Sequence, residues 1–145
     1  SHKYKELYES LDSFTEDFAR IRDDIYQATG VESVYYRFPG GSSNTVSNID
    51  MHEFIDYLDS QGVEYFDWNV SSSDAGGAKN AGQVFRSVKS GLVKGRENVI
   101  LMHDFSHNDK TIRALDRVIK YGKKKGFVFK AMTAATTEVH HGINN

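Results

Sequence analysis

Three ionisable residues that lie far apart in the chain each stand at the end of a stretch of apolar and aromatic residues. They are Arg37, Asp67 and His103, and His103 is followed directly by Asp104. A buried charge without a partner costs several kcal/mol, whereas a mutually paired cluster avoids most of that cost. A guanidinium, a carboxylate and an imidazole in contact are also groups that acid–base catalysis uses. We therefore predict that these three side chains meet at one site and that a proton moves there.

Each of the three residues also has a simpler interpretation. Arg37 could be a surface cation, Asp67 could cap the segment that follows it, and His103 could be a hydrogen-bonded histidine of the core. Ionisable groups at the rim of a parallel sheet add no stability, so three of them at successive strand ends favour a functional site over three separate structural roles.

The segment Pro39-Gly40-Gly41, directly after the first of these residues, indicates a turn. Proline ends a strand, and glycine lets the backbone approach a ligand closely. A free N–H in this turn could donate to a developing oxyanion. An ordinary surface turn explains the same three residues equally well.

The spacing of apolar residues predicts the elements that must position these side chains. Steps of three and four residues indicate amphipathic helices, and a coiled-coil seam is the rival interpretation of the first one. Segments rich in β-branched and aromatic residues indicate strands. The predicted helices are 5–28, 50–60, 80–93 and one that Asn108 caps and Gly122 or Gly126 ends, and the predicted strands are 34–38, 63–68, 98–103 and 127–131, with an irregular tail over 133–145.

The alternation of strands and helices predicts an α/β fold with a parallel sheet and flanking helices. A doubly wound sheet and part of a (β/α) barrel both fit this order. In either of them, ligands bind at the carboxyl ends of the strands, which is where the three ionisable residues are predicted to lie. No low-complexity linker divides the 145 residues, so we expect one domain.

The composition narrows the classes of function. The chain has 18 Lys and Arg against 20 Asp and Glu, so its net charge does not indicate a nucleic-acid or membrane-surface partner. It has no cysteine, which excludes disulfides and cysteine-ligated metals. No apolar run approaches the roughly 20 residues of a membrane span, and the chain shows no signal peptide. Eight Tyr and nine Phe supply rings for a groove as well as for a core.

Three segments carry a family resemblance. They are Arg37-Phe38-Pro39-Gly40-Gly41-Ser42, Asp67-Trp68-Asn69-Val70 and Ile100-Leu101-Met102-His103-Asp104. In order and interval they resemble the third, fourth and fifth motifs of the polysaccharide deacetylases (carbohydrate esterase family 4, the NodB-homology domain). Ser1-His2-Lys3 is similar to the end of the family's second motif, His-Ser/Thr-x-x-His. The resemblance implies that residues 1–145 are the C-terminal portion of such a domain, truncated at the N-terminus: a partial distorted (β/α) barrel without its first strands.

The resemblance implies a metal-dependent hydrolase that removes acetyl groups from a glycan such as peptidoglycan, chitin or xylan. In this family a divalent metal, often zinc, activates water and polarises the acetyl carbonyl. By position, His103 resembles the general acid that protonates the leaving amine or alkoxide. Asp67 resembles the carboxylate that pairs with this histidine and holds it cationic, and Arg37 resembles the residue that pairs with the catalytic base.

Further positions correspond to the substrate and metal sites of the family. Trp68 and Leu101 resemble the walls of the acetyl pocket. Gly40, next to Pro39 in the substrate-binding turn, stands where the family usually has an aromatic residue whose backbone N–H faces the oxyanion. His2 resembles the second metal-binding histidine.

Two parts of the family pattern have no counterpart in the sequence. They are the first motif, typically Thr-Phe-Asp-Asp-Gly, and the first histidine of the second motif, since Asp23-Asp24 falls within a predicted helix. His2 alone cannot hold a metal firmly, because such sites take three or more protein ligands. We therefore expect the 145-residue chain to be inactive by itself and to bind no metal firmly. His140-His141 is predicted to lie in an exposed tail, and His52 and His107 are predicted to be solvated residues at helix ends.

A second hypothesis is a non-catalytic glycan-binding or cell-wall interaction module. In that case Trp68, Tyr36 and Phe38 would stack on sugar rings, and binding would not require a metal. The resemblance also implies an extracellular or cell-surface parent protein that acts on an acetylated polysaccharide. A domain-swapped dimer or an ordinary homodimer could cover the exposed sheet edge.

Overall fold

A computed structural model describes residue 1 and residues 3–144 of the chain. The chain forms two compact units, Ser1–Asp67 with His140–Asn145, and Trp68–Val139. Helices and short parallel strands follow one another along the sequence, and the predicted alternation is interrupted where β2 is followed directly by β3. The elements are α1 (Tyr4–Leu7), α2 (Leu11–Thr29), β1 (Tyr35–Tyr36), α3 (Met51–Ser60), β2 (Glu64–Tyr65), β3 (Val70–Ser71), α4 (Ala81–Gly91), β4 (Ile100–Leu101) and α5 (Asp109–Lys124).

The first predicted helix is two helices in the structure. The side chain of Ser10 accepts a hydrogen bond from the backbone N–H of Ser13, which starts α2 afresh after the short α1. A serine in this N-cap role satisfies one of the donors that a helix start leaves unpaired. The predicted end of the helix is confirmed, because Gly30 caps α2 with a φ of 71°.

In the first unit, α3 connects two parallel strands. Tyr35 of β1 pairs with Glu64 of β2, and Tyr36 pairs with Tyr65. Asp50 begins α3 by accepting the backbone N–H of His52. This strand–helix–strand order is the one predicted from the sequence.

Buried aromatic rings hold the end of β1 in place. Phe14 of α2 packs on Phe54 of α3 with the ring centroids 4.8 Å apart, and on Phe38 at 5.8 Å. The rings of Tyr36 and Phe38 lie 5.3 Å apart, so a half-buried ring and a fully buried ring flank Arg37 along the chain. Burying a phenylalanine contributes about 1.5–3 kcal/mol, and these rings therefore fix the backbone at the start of the Pro39 turn.

In the second unit, β3 pairs in parallel with β4, with Ser71 opposite Leu101. The sequence predicts no strand at Val70–Ser71. The strand predicted over 63–68 is shorter in the structure, where β2 ends at Tyr65. Asn69, just before β3, links this strand to the segment before β4. Its side chain donates to the carbonyl of Glu97 and accepts the N–H of Val99.

The helices α4 and α5 pack on each other and on β3. Small buried side chains form two clusters between these elements. One contains Val70 of β3 with Val88 and Val118, and the other contains Val84 and Ala114. Side chains predicted to lie on the core side of α5 include two that the structure exposes. They are Ile112, with 69% of its surface exposed, and Leu115, with 44%.

The strand predicted over 127–131 is not a strand in the structure. Gly126, with a φ of 83°, ends α5, and the N–H of Phe127 donates back to the carbonyl of Gly122. No hydrogen-bonded ladder includes residues 127–131 in the described part of the chain, and a strand needs such a partner. The segment instead borders a cavity of about 520 Å³ that Leu92, Ile100 and other residues of this unit line.

The predicted α/β class is confirmed at the level of a mixed fold with parallel strands. The described residues form two two-stranded sheets, and a barrel remains a prediction. None of the helices over residues 1 and 3–144 combines the length and the apolar character that crossing a membrane requires.

Candidate functional site

His103 and Asp74 form a pair that is held at two points. His103 follows β4, and its backbone N–H donates to Asp74 Oδ2 at 2.7 Å. The ring Nδ1 of His103 lies 2.8 Å from Asp74 Oδ1. The Asp74 side chain is 1% exposed and the His103 side chain is 19% exposed. A buried carboxylate thus orients an imidazole that solvent or a ligand can still reach.

Further donors converge on Asp74. Thr111 Oγ1 donates to Asp74 Oδ2 at 2.8 Å, and Asn108 Nδ2 donates to the same oxygen at 3.2 Å and to the carbonyl of His103 at 2.9 Å. Burial raises the pKa of Asp74, but the hydrogen bonds, those from His103 first, outweigh burial and hold this pKa well below its usual range. Asp74 is therefore ionised at neutral pH. With Nδ1 turned to the carboxylate, Nε2 is the ring nitrogen available for proton exchange.

A strained turn brings Asp74 to this position. Ser73 has a φ of 57°, in the left-handed region, which costs a residue with a side chain about 1–2 kcal/mol. Its Oγ lies 2.9 Å from Ser87 Oγ, and Ser87 Oγ donates to the carbonyl of Ser71. These contacts tie the turn to α4 and direct Asp74 toward the end of β4.

The structure pairs His103 with Asp74, a partner that the sequence did not indicate. The predicted pairing of Asp67 with His103 would join the two units and stays a prediction. Sequence reasoning missed Asp74 because it placed the strand end at Asp67. In the structure β3 (Val70–Ser71) is the strand that pairs with β4, and Asp74 is the first acidic residue after β3. The run Ser71-Ser72-Ser73-Asp74-Ala75-Gly76-Gly77 is the signal that could have indicated a turn presenting a carboxylate.

Asp67 is the centre of a second polar cluster, in the first unit. It is 2% exposed and accepts hydrogen bonds from both the backbone N–H and the Oγ of Ser42. It also accepts the backbone N–H of His141 at 2.8 Å, and the ring Nδ1 of His141 lies 3.9 Å away. Asp67 therefore connects the loop after β1 to the C-terminal segment.

Arg37 and the turn after it lie in the same unit as Asp67. Arg37 is half-buried and its Nη1 donates to the carbonyl of Phe38. The hydroxyl of Tyr8 donates to the carbonyl of Pro39 at 2.7 Å. Burial is the main cause that raises the pKa of Tyr8, while Arg37 lowers it and Asp67 raises it. The carbonyl of Pro39 is therefore held by the neutral side chain of Tyr8, which lies close to the charges of Arg37 and Asp67.

Gly40 adopts a conformation that favours glycine. Its φ is 82°, and a Cβ at this position would lie 3.3 Å from the Cβ of Asn44. The N–H of Gly41 donates to Phe38 and the N–H of Ser42 donates to Asp67. Within residues 1 and 3–144 no acceptor is recorded for the N–H of Gly40, which leaves this N–H for a ligand.

Trp68 and Leu101 belong to the second unit, like His103. Trp68 is its half-buried first residue, and Leu101 lies on β4 opposite Ser71. The ring of Phe105, which the sequence did not indicate as a site residue, lies 6.3 Å from the ring of His103. It supplies an exposed aromatic surface beside the imidazole.

The predicted site residues thus divide between the units. Arg37, Pro39, Gly40 and Asp67 lie in the first unit, and Trp68, Leu101 and His103 lie in the second. The meeting of all of them at one site remains a prediction.

The described residues do not fit a divalent metal site. No group of three His, Asp or Glu side chains in residues 1 and 3–144 is arranged to hold an ion. His2, the predicted metal ligand, lies outside the described residues.

The C-terminal segment is irregular and mostly exposed, as predicted, but His140, His141 and Ile143 also contact the rest of the first unit. The ring of His140 stacks on Tyr65 at a centroid distance of 4.0 Å, and its Nε2 lies 3.0 Å from the Tyr65 carbonyl. Ile143 packs against the core of the first unit. The predictions for His52 and His107 are confirmed, because both are exposed at helix starts.

Comparisons with known proteins give a consistent result. No protein-family model matches the chain. A curated bifunctional xylanase/deacetylase from Pseudobutyrivibrio xylanivorans is 31% identical over 105 residues, which are 72% of this chain and 15% of that protein. This chain therefore spans less than a sixth of that relative's length.

Solved structures extend the similarity to the whole chain. The catalytic domain of a peptidoglycan N-acetylglucosamine deacetylase from Eubacterium rectale is 35% identical with a TM-score of 0.91, and the match covers 100% of this chain and 67% of that one. A polysaccharide deacetylase from Bacillus cereus, at 22% identity, has the same fold with a TM-score of 0.79 over 97% of this chain and 67% of its own.

Proposed function

Because the chain belongs to the polysaccharide deacetylases, carbohydrate esterase family 4, we propose that it contributes to the hydrolysis of acetyl groups on a glycan. The relatives named above are described as deacetylases, one of them as a peptidoglycan N-acetylglucosamine deacetylase. Peptidoglycan is therefore the first substrate to test, followed by acetylated chitin oligomers and xylan.

The observation that carries this proposal is the His103–Asp74 pair. A carboxylate that stays ionised at neutral pH and accepts both the backbone N–H and the ring of one histidine fixes the direction of that ring. His103 Nε2 would then deliver a proton to the leaving amine or alkoxide, and Asp74 would stabilise the imidazolium before transfer. Phe105 supports this role by placing an exposed aromatic ring beside the imidazole, which a bound glycan would cover.

Residues of the first unit receive proposed roles in the same reaction. The N–H of Gly40 would donate to the oxyanion, since its neighbours' N–H groups are already used. Arg37 would pair with the catalytic base, and Trp68 and Leu101, from the second unit, would line the acetyl pocket. Asp67 would hold the Gly40 turn through Ser42.

We further propose that the complete domain requires a divalent metal for its activity. The described residues do not form a three-ligand cluster, so no step of the proposal uses a metal held by them. We expect the 145 residues alone to release no acetate, because the general base and two of the three metal ligands of the family have no counterpart among them.

The proposed context follows from the family. We propose that residues 1–145 are the C-terminal portion of a (β/α) barrel that acts on cell-wall or plant glycan outside the cell. The exposed side chains of 128–132 and the cavity beside them support the proposal that a further part of the protein or a second copy packs at this edge. Further strands of the same domain or a homodimer would cover it.

Acetate release tests the proposal. The full-length gene product is incubated with acetylated peptidoglycan, and acetate is measured for the wild type and for His103→Ala. We expect the substitution to lower the rate by at least about 100-fold, which is a typical contribution of general acid catalysis. Asp104→Asn is the control, because Asp104 is exposed beside His103. Undiminished release by His103→Ala would refute the role of this residue.

The absence of a three-ligand cluster among the described residues also favours a second candidate, a glycan-binding module without catalysis. Two of the three rings predicted for sugar stacking are taken by the core, since Phe38 is fully buried and Tyr36 packs on Phe14. Phe105, which is exposed, offers an aromatic surface for stacking. Binding of the full-length gene product to glycan that persists in chelator, without acetate release in any condition, would favour the module.

A further inference from the structure

The near balance of charge over the whole chain hides a separation between its two units. The unit Trp68–Val139 contains thirteen Lys and Arg against six Asp and Glu, and the remaining residues contain five against fourteen. The second unit therefore carries a net charge of +7 and the first of −9, which together give the −2 of the chain. A charge of this size on one small unit attracts partners of opposite sign.

The positive charge is concentrated on α4 and α5. These two helices carry eight Lys and Arg and two Asp. On α5, basic residues recur at steps of three and four, so that they form a stripe on a side other than the one that buries Ala114 and Val118. The stripe is about 16 Å long. Its members are Arg113, Arg117, Lys120 and Lys124.

Arg86 of α4 and Arg117 of α5 lie near each other where the two helices meet, and neither has a carboxylate partner among the described residues. Nη1 of Arg86 and Nη1 of Arg117 lie 3.6 and 3.9 Å from the position of a Cβ on Gly82, so the two guanidinium groups are neighbours. The guanidinium of Arg117 also lies over the ring of Phe85, 4.6 Å from its centroid. Across residues 1 and 3–144 no ion pair is recorded for either arginine. Adjacent like charges repel, and an anion placed between them would relieve that repulsion.

We propose that this basic face, formed by Arg86, Lys89, Arg113, Arg117, Lys120 and Lys124, binds a linear polymer that bears phosphate groups. The planar fork of arginine matches phosphate oxygens two at a time, and Lys124 adds a point charge along the same line. Lys120 pairs with Asp116 at 2.8 Å, and it would exchange this exposed, weak ion pair for a phosphate. Phe85 restrains the Arg117 fork and reduces the entropy lost on binding.

A soluble polymer fits this face better than a membrane surface does. A helix that lies in a membrane interface buries its apolar side in lipid. The buried side of α5 instead packs on α4 within the protein. The basic stripe runs along the helix as a line, which matches the shape of a chain of phosphates.

The test uses the 145-residue protein and fluorescently labelled inorganic polyphosphate, with binding followed by anisotropy at several salt concentrations. We expect binding that weakens with rising salt. We expect Arg86→Gln/Arg117→Gln to weaken binding by at least about tenfold, the loss of roughly one charged bidentate contact. The control Lys94→Gln/Lys130→Gln removes the same charge from exposed residues outside both helices and is expected to change binding less than about threefold. Arg86→Lys/Arg117→Lys is expected to restore part of the affinity.

Four outcomes would overturn the proposal. They are no binding by the wild type at low salt, an equal loss in the arginine and lysine double variants, equal affinity for poly-glutamate, and stronger binding to phosphatidylglycerol vesicles than to polyphosphate. Thermal unfolding of each variant identifies losses due to unfolding, and Arg86→Gln alone, at an exposed position, serves as the second variant if the double variant does not fold.

Discussion

The carboxylate of Asp74 holds His103 by two hydrogen bonds, one to the backbone N–H at 2.7 Å and one to the ring at 2.8 Å. Because both contacts end on one buried carboxylate, the backbone after β4 and the direction of the imidazole are fixed together. Removing the carboxylate therefore affects local structure and chemistry at once, and the predictions below separate the two effects.

Replacing Asp74 by Asn should destabilise the protein. The amide group of Asn would place N–H donors against the donors of His103, Thr111 or Asn108, and would leave at least one buried donor without an acceptor. We expect a loss of about 1–3 kcal/mol in the free energy of unfolding, measured in urea. Asp104→Asn is the matched control and should change stability by less than about 0.5 kcal/mol. Equal stability of Asp74→Asn and the wild type would contradict the hydrogen-bond assignment.

The lowered pKa of Asp74 predicts a specific loss of stability in acid. A carboxyl group whose pKa is lower in the folded than in the unfolded state stabilises the fold above its unfolded pKa of about 3.9. That stabilisation disappears as the pH falls through the folded pKa. We expect the difference in unfolding free energy between the wild type and Asp74→Asn to shrink as the pH falls below about 4, where the unfolded carboxyl group binds its proton. A difference that grows below about pH 4 would have the wrong sign.

Gly40 should not tolerate a side chain. We expect Gly40→Ala to cost about 1–2 kcal/mol, because its φ of 82° is strained for alanine and the new Cβ would press on Asn44. Gly30→Ala adds the same strain without a neighbour within 4 Å, and Gly76→Ala meets no neighbour and no positive φ. The measured costs should fall in the order Gly40, Gly30, Gly76. A cost at Gly40 no larger than at Gly76 would show that the turn has another conformation.

Ser42 should hold the C-terminal segment through Asp67. Ser42→Ala removes a donor from a buried carboxylate that also accepts the N–H of His141. We expect a loss of about 1–3 kcal/mol and faster hydrogen exchange at the amide of His141. Ser43→Ala is the control, since the Ser43 hydroxyl contacts the ring of His141 but not Asp67, and the Ser43 carbonyl that accepts from Asn144 is kept. Unchanged exchange in Ser42→Ala would mean that the segment is held elsewhere.

Local signals in the sequence predict much of the fold. Gly30 ends α2, Asn80 caps α4, and the alternation of β-branched and amphipathic segments gives the parallel strand order. These features depend on neighbouring residues alone, so they can be recognised without knowledge of tertiary contacts. The break at Ser10 was missed because the apolar spacing continues across it, while the capping hydrogen bond interrupts the helix.

The parts that sequence reasoning missed depend on long-range contacts. Asp74 becomes a partner of His103 only through the pairing of β3 with β4, across 29 residues. His141 reaches Asp67 across 74 residues. The segment 127–131 has the composition of a strand, but composition cannot tell whether a neighbouring strand is present. Net charge likewise concealed the opposite charges of the two units, because it sums over both.

The pairing of His103 with Asp74 supports the proposed chemistry, and NMR of the 145-residue chain tests it most directly. Hydrogen exchange is measured for the backbone amide of His103 and for its ring Nδ1 proton, in the wild type and in Asp74→Asn. We predict that both protons are protected in the wild type and that both exchange at least about tenfold faster in the variant, because their common acceptor is lost. Equal exchange in the two proteins, or a ring that carries its protected proton on Nε2, would contradict the account.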